Sequence, residues 1–379
     1  MQSRKKIVLV ATVASSIYGF RQPLIAELQK RGYHIYAFVS EYMQTELDKI
    51  WAMGVTVIPY QLNRGGLNPI ADVWATYKLA NQIRRIQPDL VFSYFSKPVI
   101  FGTLAAKMAR VPKIFAMLEG LGYTFTEQPE GFSRKAKIIR KIQVILYRLS
   151  LPLADKVIFL NPDDPRDLLE KHQIKVKKVE VLGGIGLNLS DYPYQPVLQT
   201  ENIRFLFIGR LLKEKGIHEF IAAAKIVKAR YPNTIFTVLG AIDKMNLGAL
   251  SQTELDSCIQ TSLIEYPGQV SNVSEWIVNS QVFVLPSYRE GVPRSTQEAM
   301  AVGRAVITTD VPGCRETVVN GLNGFLIPVW DSQVLAEKMI YFIENPEQIT
   351  LMGNESYRIA QKKFDVDKIN QRLISFLEL

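Results

Sequence analysis

Cysteine is scarce in this chain of 379 residues: only Cys258 and Cys314 occur, far apart and without metal-ligand spacing. Neither a disulfide framework nor a zinc site fits that pattern, and a reducing compartment does. Histidine is as thin. His34, His172 and His218 are dispersed along the chain, which argues against a His-based metal site or catalytic triad. Long apolar runs are missing too: no window of about 18 uncharged apolar residues exists, so nothing reads as a membrane span. The opening Arg4-Lys-Lys-Ile-Val-Leu-Val-Ala11 has the charge-then-apolar order of a signal peptide, but its apolar run is short. It leads into Gly19-Phe-Arg-Gln-Pro23 and an amphipathic helix, as the first strand of a cytoplasmic α/β domain would. The loop behind that strand carries no G-x-G-x-x-G, which weakens a dinucleotide-binding reading. No repeat or low-complexity segment occurs.

What is present points to a two-domain α/β protein. The length is large for one core. Apolar runs expected as strands lie at 7–13, 34–40, 55–60, 88–93, 113–117 and 156–160, with helical patterns at 23–31, 72–86, 100–110 and 162–171 between them. Strands alternating with helices mean a parallel, doubly wound sheet. A second series follows, with strands at 203–209, 235–240, 282–285, 305–308 and 324–327 and helices at 252–262, 272–278 and 294–301. Further helices begin at Ser332 and Glu347, and a last one covers 366–379.

Charge narrows the partners. With 45 basic and 36 acidic residues the chain carries +9, which permits nucleic acid, anionic small molecules or an anionic membrane surface. No helix-turn-helix, zinc-finger or RNA-platform signature accompanies the charge, so nucleic acid is set aside. From Gly131 to Ala154 there are Arg134, Lys135, Lys137, Arg140, Lys141 and Arg148 and no carboxylate. At roughly 100° per residue, Ile138, Ile139, Ile142, Ile145, Leu146 and Leu149 share one arc, with Lys137, Arg140, Lys141 and Arg148 on the other. Such a helix suits a membrane surface, a diphosphate acceptor, or both. Alternatively its apolar side packs on its own domain and the basic side is merely solvated.

The chain is organised around Pro286-Ser-Tyr-Arg-Glu-Gly-Val-Pro-Arg-Ser-Thr-Gln-Glu-Ala-Met-Ala-Val-Gly303. This stretch joins a buried strand to a helix, with Pro293 tolerated in the first turn. Glu290 falls on the connecting loop and Glu298 on the helix. In open α/β sheets ligands bind at this edge, and helix-start N–H groups attract anions. Two carboxylates that can take hydroxyls, beside an anion site, suit a polyol carrying phosphate: a sugar nucleotide.

Glu290 and Glu298, in the setting of Ala299-Met-Ala-Val-Gly-Arg-Ala-Val-Ile307 and Asp310-Val-Pro-Gly-Cys-Arg-Glu316, resemble the E-x7-E motif of retaining glycosyltransferases of family 4. The resemblance covers nearly the whole chain. It implies the GT-B fold, two Rossmann-like domains with parallel sheets facing across a cleft. Boundaries follow as 1–188 for the acceptor domain, 189–360 for the nucleotide-sugar domain and 361–379 for a helix returning to the first. Gly209-Arg210-Leu-Leu-Lys-Glu-Lys215-Gly216 is similar to the family's Gly-Arg-x4-Lys-Gly, whose cations hold the donor diphosphate. By the same resemblance Gly240 lets the nucleotide approach and Val270 meets the base through its backbone. Glu290 contacts the transferred sugar and Glu298 the ribose, with Gly291 and Val292 completing the donor stretch. The family reads Glu-Gly-Phe-Gly where this chain has Glu290-Gly-Val-Pro-Arg294. Pro293 lacks an N–H, and Arg294 could compensate with charge.

In the first domain the resemblance brings Gly19 and Arg21 to the donor phosphate and acceptor, although an ordinary strand-to-helix turn explains them equally. Glu119 stands where many members have His, able to hydrogen-bond the donor sugar or take a proton from the acceptor hydroxyl. The implied activity is transfer of a hexose or N-acetylhexosamine from a UDP-sugar to a polyprenyl-diphosphate-linked glycan at the cytoplasmic face of the membrane. Neither a metal nor another cofactor is expected, and Asp365-Val-Asp367 lies on a terminal helix where a nucleotide–metal motif would not. The alternatives are a sugar-nucleotide epimerase or an inverting transferase on the same fold, a dehydrogenase, and a non-catalytic membrane scaffold.

Overall fold

The computed structural model describes residues 5–62, 69–198, 200–243, 246 and 248–379; Arg4 of the opening stretch lies outside them. The chain divides into two units: Met1–Thr124, Arg134–Ile185 and Asn370–Leu379 form the first, and Phe125–Ser133 with Gly186–Ile369 the second.

In chain order the first unit contains β1 (Lys6–Val10), α1 (Ser15–Phe20), α2 (Gln22–Lys30), β2 (His34–Val39), α3 (Gln44–Ala52), β3 (Thr56–Pro59), α4 (Pro69–Ile86), β4 (Leu90–Tyr94) and α5 (Ser96–Met108). It continues with β5 (Lys113–Leu118), α6 (Arg134–Ser150), β6 (Lys156–Phe159), α7 (Asp163–Pro165) and β7 (Val179–Val181). All strands are parallel, in the order β3-β2-β1-β4-β5-β6-β7. Strands covered on both faces need apolar side chains throughout. Accordingly Ile7, Val8, Leu9 and Val10 are buried, as is all of β4.

The second unit holds β8 (Arg204–Ile208), α8 (Ile217–Arg230), β9 (Ile235–Leu239), α9 (Gln252–Gln260), β10 (Glu265–Gly268), α10 (Val273–Val278) and β11 (Val282–Leu285). After these come α11 (Arg294–Val302), β12 (Ala305–Thr309), β13 (Gly324–Ile327), α12 (Ser332–Glu344) and α13 (Pro346–Lys363). Helix α14 (Val366–Phe376) begins in this unit and from Asn370 belongs to the first. The second sheet is also parallel, ordered β10-β9-β8-β11-β12-β13. In each sheet the strand order reverses beside the first strand, at β1/β4 and at β8/β11. The crevice at such a reversal, at the strands' carboxyl ends, is where this architecture holds ligands.

Besides α8 and β10, which the sequence reading did not name, the structure departs from it in three places. Helix α3 was not expected; Met43 and Glu46 close its amino end, the Glu46 carboxylate accepting from Met43 N at 2.8 Å. Residues 14–21, expected as a turn, are mostly the short helix α1. The third departure is in α6. Its packing face is Ala136, Val144, Tyr147 and Ser150, with Gln143 linking Thr124 Oγ1 at 2.7 Å to Tyr147 Oη at 3.1 Å. That narrow face fills the space beside α5, so Ile138, Ile142, Ile145 and Leu149 are left exposed. Arg140 turns toward the domain and is half-buried, while Lys137, Lys141 and Arg148 are exposed. The apolar arc and the packing face are therefore different sides of the helix.

Candidate active site

In the second unit the loops after β8 and β11 are stitched together. Tyr288 N donates to Glu214 O at 2.9 Å, and Ser287 Oγ lies 3.2 Å from the same carbonyl. Tyr288 Oη reaches Glu219 Oε1 at 2.7 Å. These bonds bring Lys215 to Glu290, Nζ to Oε1 at 2.5 Å, and Ser287 Oγ donates to the same oxygen at 2.6 Å. A carboxylate with a cation and a hydroxyl on one oxygen is held in one orientation. From below, Glu290 N bonds Pro312 O at 3.0 Å. Gly313 there has φ +80°, and a Cβ on it would stand 2.2 Å from Glu290 O, so only glycine fits.

Arg210 follows Gly209 at the end of β8, exposed, with Nη1 3.2 Å from Asp243 Oδ2. Gly240 ends β9 at φ +141°. Its missing Cβ makes room for Gly209 O, which would lie 1.9 Å away. Close approach of two strand ends is thus what requires glycine at Gly240 here. Val270 follows β10, half-buried.

Glu298 lies in the second turn of α11, nearly buried, and one oxygen takes two bonds: from Arg294 Nε at 2.9 Å and from Tyr192 Oη at 2.9 Å. Arg294, expected to supplement the phosphate donors, turns onto Glu298. Val292 is buried and its carbonyl accepts from Gln297 Nε2 at 3.3 Å, while Gly291 is half-buried between it and Glu290.

In the first unit a separate group gathers at the β1/β4 reversal. Arg21, between α1 and α2, is only 2% exposed and donates from Nη2 to Glu119 Oε1, just beyond β5. Its guanidinium lies 4.9 Å from the Tyr94 ring centroid, and Tyr94 Oη is 3.3 Å from Ser16 Oγ. Burial pushes the Glu119 carboxyl up from its ordinary value, and the Arg21 charge pulls it back. Tyr94 is likewise raised by burial. Gly19 is exposed on α1 with open space where a Cβ would go, so nothing steric demands glycine there. Arg21 is a buried partner of Glu119 rather than an exposed cation.

The structure thus joins Lys215 with Glu290, Arg294 with Glu298, and Arg21 with Glu119. Sequence reasoning missed Ser287, Asp243, Tyr192 and Tyr94. Only Ser287, in the same motif as Glu290, carried a local signal. Among the described residues no group of three or more His, Cys, Asp or Glu is placed to hold a metal ion.

Residues 191–359 match the family described as "Glycosyl transferases group 1", and residues 6–161 match "Glycosyl transferase 4-like". The chain is 30% identical, over 98% of both chains, to the N,N'-diacetylbacillosaminyl-diphospho-undecaprenol alpha-1,3-N-acetylgalactosaminyltransferase of Campylobacter jejuni. It is 26% identical to the Escherichia coli UDP-Gal:alpha-D-GlcNAc-diphosphoundecaprenol alpha-1,3-galactosyltransferase, over 69% of this chain and 68% of that one. Its fold is similar to that of Anabaena HepE, solved with UDP and glucose (TM-score 0.76, 19% identity, 99% of each chain). Sucrose-phosphate synthase of Thermosynechococcus elongatus is similar too (TM-score 0.79, 18% identity, 99% of this chain and 98% of that one). The chain belongs to the GT-B glycosyltransferases of this family, and it is an enzyme that transfers a sugar.

Proposed function

We propose that the protein moves a hexose or N-acetylhexosamine from a UDP-sugar to a polyprenyl-diphosphate-linked glycan with retention of configuration. The reaction needs no metal and serves assembly of a cell-surface polysaccharide or glycan. The enzyme works from the cytoplasm, peripherally bound to the inner face of the membrane.

The observation that carries the reading is the stitched loop pair at the β8/β11 reversal, where Lys215 orients Glu290; Arg210, at the end of β8, pairs with Asp243. The first unit takes the acceptor. When the bond between the sugar C1 and the donor diphosphate breaks, charge collects on the leaving oxygen. Arg210 and Lys215 offset it, most strongly in the transition state. The acceptor oxygen bonds to C1 on the same face and its proton passes to the departing diphosphate. Glu290 orients the sugar by accepting from its hydroxyls, and Glu298 does the same for the ribose. Full-length similarity to an enzyme whose name specifies a diphospho-undecaprenol substrate supports the acceptor class.

Calorimetric titration without added metal should show UDP binding in preference to GDP and NAD. Product from a UDP-sugar and a polyprenyl-diphosphate glycan should keep the donor's anomeric configuration by NMR coupling constants, with chelator present. GDP preference or an inverted product would refute the donor or the stereochemistry, and binding of neither nucleotide would refute the reading as a whole.

A further inference from the structure

We infer that the amino edge of the second sheet carries a binding site for an uncharged oligosaccharide, one sugar ring lying against Trp276; the choice of a glycan rests on the reaction proposed above. A cavity of about 770 Å³ opens there, within the range of about 300–1,000 Å³ that small-molecule sites occupy. Its floor forms at Arg204 and Ile235, the first residues of β8 and β9, and at Gln281, one residue before β11. Its wall is α10. The Lys215–Glu290 pair stands beyond the opposite, carboxyl ends of β8 and β11. Five residues of β8, at about 3.3 Å each, separate the two edges, so the cavity is a second site and not an extension of the first.

The lining is held in place by the chain itself. Gln281 Oε1 accepts from Arg204 N at 2.8 Å, and Gln281 Nε2 donates to Leu198 O at 3.2 Å, which ties the segment before β8 to the start of β11. At α10, Asn272 Nδ2 donates to Glu275 Oε2 at 2.6 Å and Asn279 Nδ2 to Glu275 O at 2.9 Å. A lining fixed in advance loses little freedom when a ligand enters. Trp276 stands among these residues, half-buried, and among the described residues its ring and its N–H have no partner.

Charge and hydrogen bonding select the ligand. Glu201 and Glu275 line the cavity with one cation, Arg204, whose guanidinium is already held by Glu265 and by Thr237 Oγ1 at 2.6 Å. Phosphates, which the carboxyl edge meets with Arg210 and Lys215, are therefore repelled here. Once the bonds above are made, the Glu201 carboxylate, Glu275 Oε1 and the Asn272 and Asn279 side-chain oxygens remain as acceptors, with Trp276 Nε1 and the Asn202 amide as donors. A wholly apolar ligand would strip these groups of water and leave them unpaired. An ammonium would serve the acceptors but not the two donors. Hydroxyls serve both. The indole adds an apolar face with a polar tip, which matches a pyranose ring with C–H bonds on its face and hydroxyls around its rim. A glycan held here stays near the enzyme at raised local concentration.

The test is calorimetric titration of the full chain, with UDP present, by triacetylchitotriose and by maltotriose, with spermidine as a cationic probe. At least one trisaccharide should bind, its affinity constant within about twofold between about 0.05 and 0.5 M salt, because a neutral ligand has no charge to screen. Trp276→Ala should weaken that binding at least about fivefold. Asn202→Ala, a change on the exposed segment before β8, should weaken it at least about twofold. UDP affinity, measured separately, is the folding control for both variants. Binding of neither trisaccharide overturns the inference, as does trisaccharide binding that both variants leave unchanged. So does spermidine binding that is tighter than either sugar and lost in Trp276→Ala, which would make the cavity a cation site. Failure of both trisaccharides in a protein that binds UDP and transfers sugar defeats this inference alone. Trisaccharide binding through Trp276 in a protein that transfers no sugar leaves the site standing and defeats the proposed reaction.

Discussion

Replacing Arg21 by Met tests the buried group of the first unit. Arg21 is 2% exposed and its partner Glu119 13% exposed, so the substitution leaves a carboxylate in a nearly dry place without its cation. Breaking a buried pair from one side destabilises by about 3–5 kcal/mol. In a domain of this size about 1 kcal/mol moves the midpoint by about 2–4 °C, so the first unit should melt about 6–20 °C lower near neutral pH. The loss must depend on pH, with a definite sign. The Glu119 pKa is already raised by burial, and without Arg21 it rises further. A group whose folded pKa lies above its unfolded value contributes stability that is full below the unfolded pKa and lost as pH rises through the folded one. Arg21→Met should therefore lose more stability at about pH 8 than at about pH 5, relative to wild type. Adding Glu119→Gln, which cannot ionise, should recover most of the loss at the higher pH. Thermal unfolding at both pH values checks this. An equal loss at both, or a double variant no more stable than the single one, refutes the reasoning.

Gly313→Ala should cut transferase turnover sharply, because a Cβ would meet Glu290 O at 2.2 Å and Gly291 O at 2.5 Å in a left-handed backbone; turnover and thermal midpoint both unchanged would contradict the packing. Glu298→Ala should weaken UDP binding by about tenfold or more, the range of a hydrogen bond to a charged group, with calorimetry as the check. Tyr192→Phe, which removes only one bond to Glu298, should weaken it less, about two- to tenfold. If Tyr192→Phe were the more damaging, Glu298 would not be the group that meets the nucleotide. Arg210→Ala should weaken UDP more than uridine; equal weakening of both would remove the diphosphate role.

Much of the fold was legible because its signals are local. Fully buried parallel strands read as continuous apolar runs, so β1, β4, β8 and β11 stood out. A strand-to-helix junction announces its loop, so Glu290 could be placed between β11 and α11, and Glu298 on α11, from the sequence alone. Helix α3 escaped because its pattern is short and polar, and α1 because a single helical turn after a strand looks like the turn itself.

The sequence by itself determined two parallel α/β sheets, the loops at their carboxyl ends and the cations and carboxylates those loops carry, because each follows from residues within a few positions of one another. Only the tertiary structure decided which of them meet. Lys215 lies 75 residues from Glu290, Arg21 98 from Glu119 and Tyr192 106 from Glu298, and no local pattern encodes such pairings. It also decided which side of α6 faces water. Periodicity can show that a helix has an apolar arc, but whether a domain covers that arc depends on the space left beside α5, and there the smaller Ala136, Val144 and Tyr147 face fits.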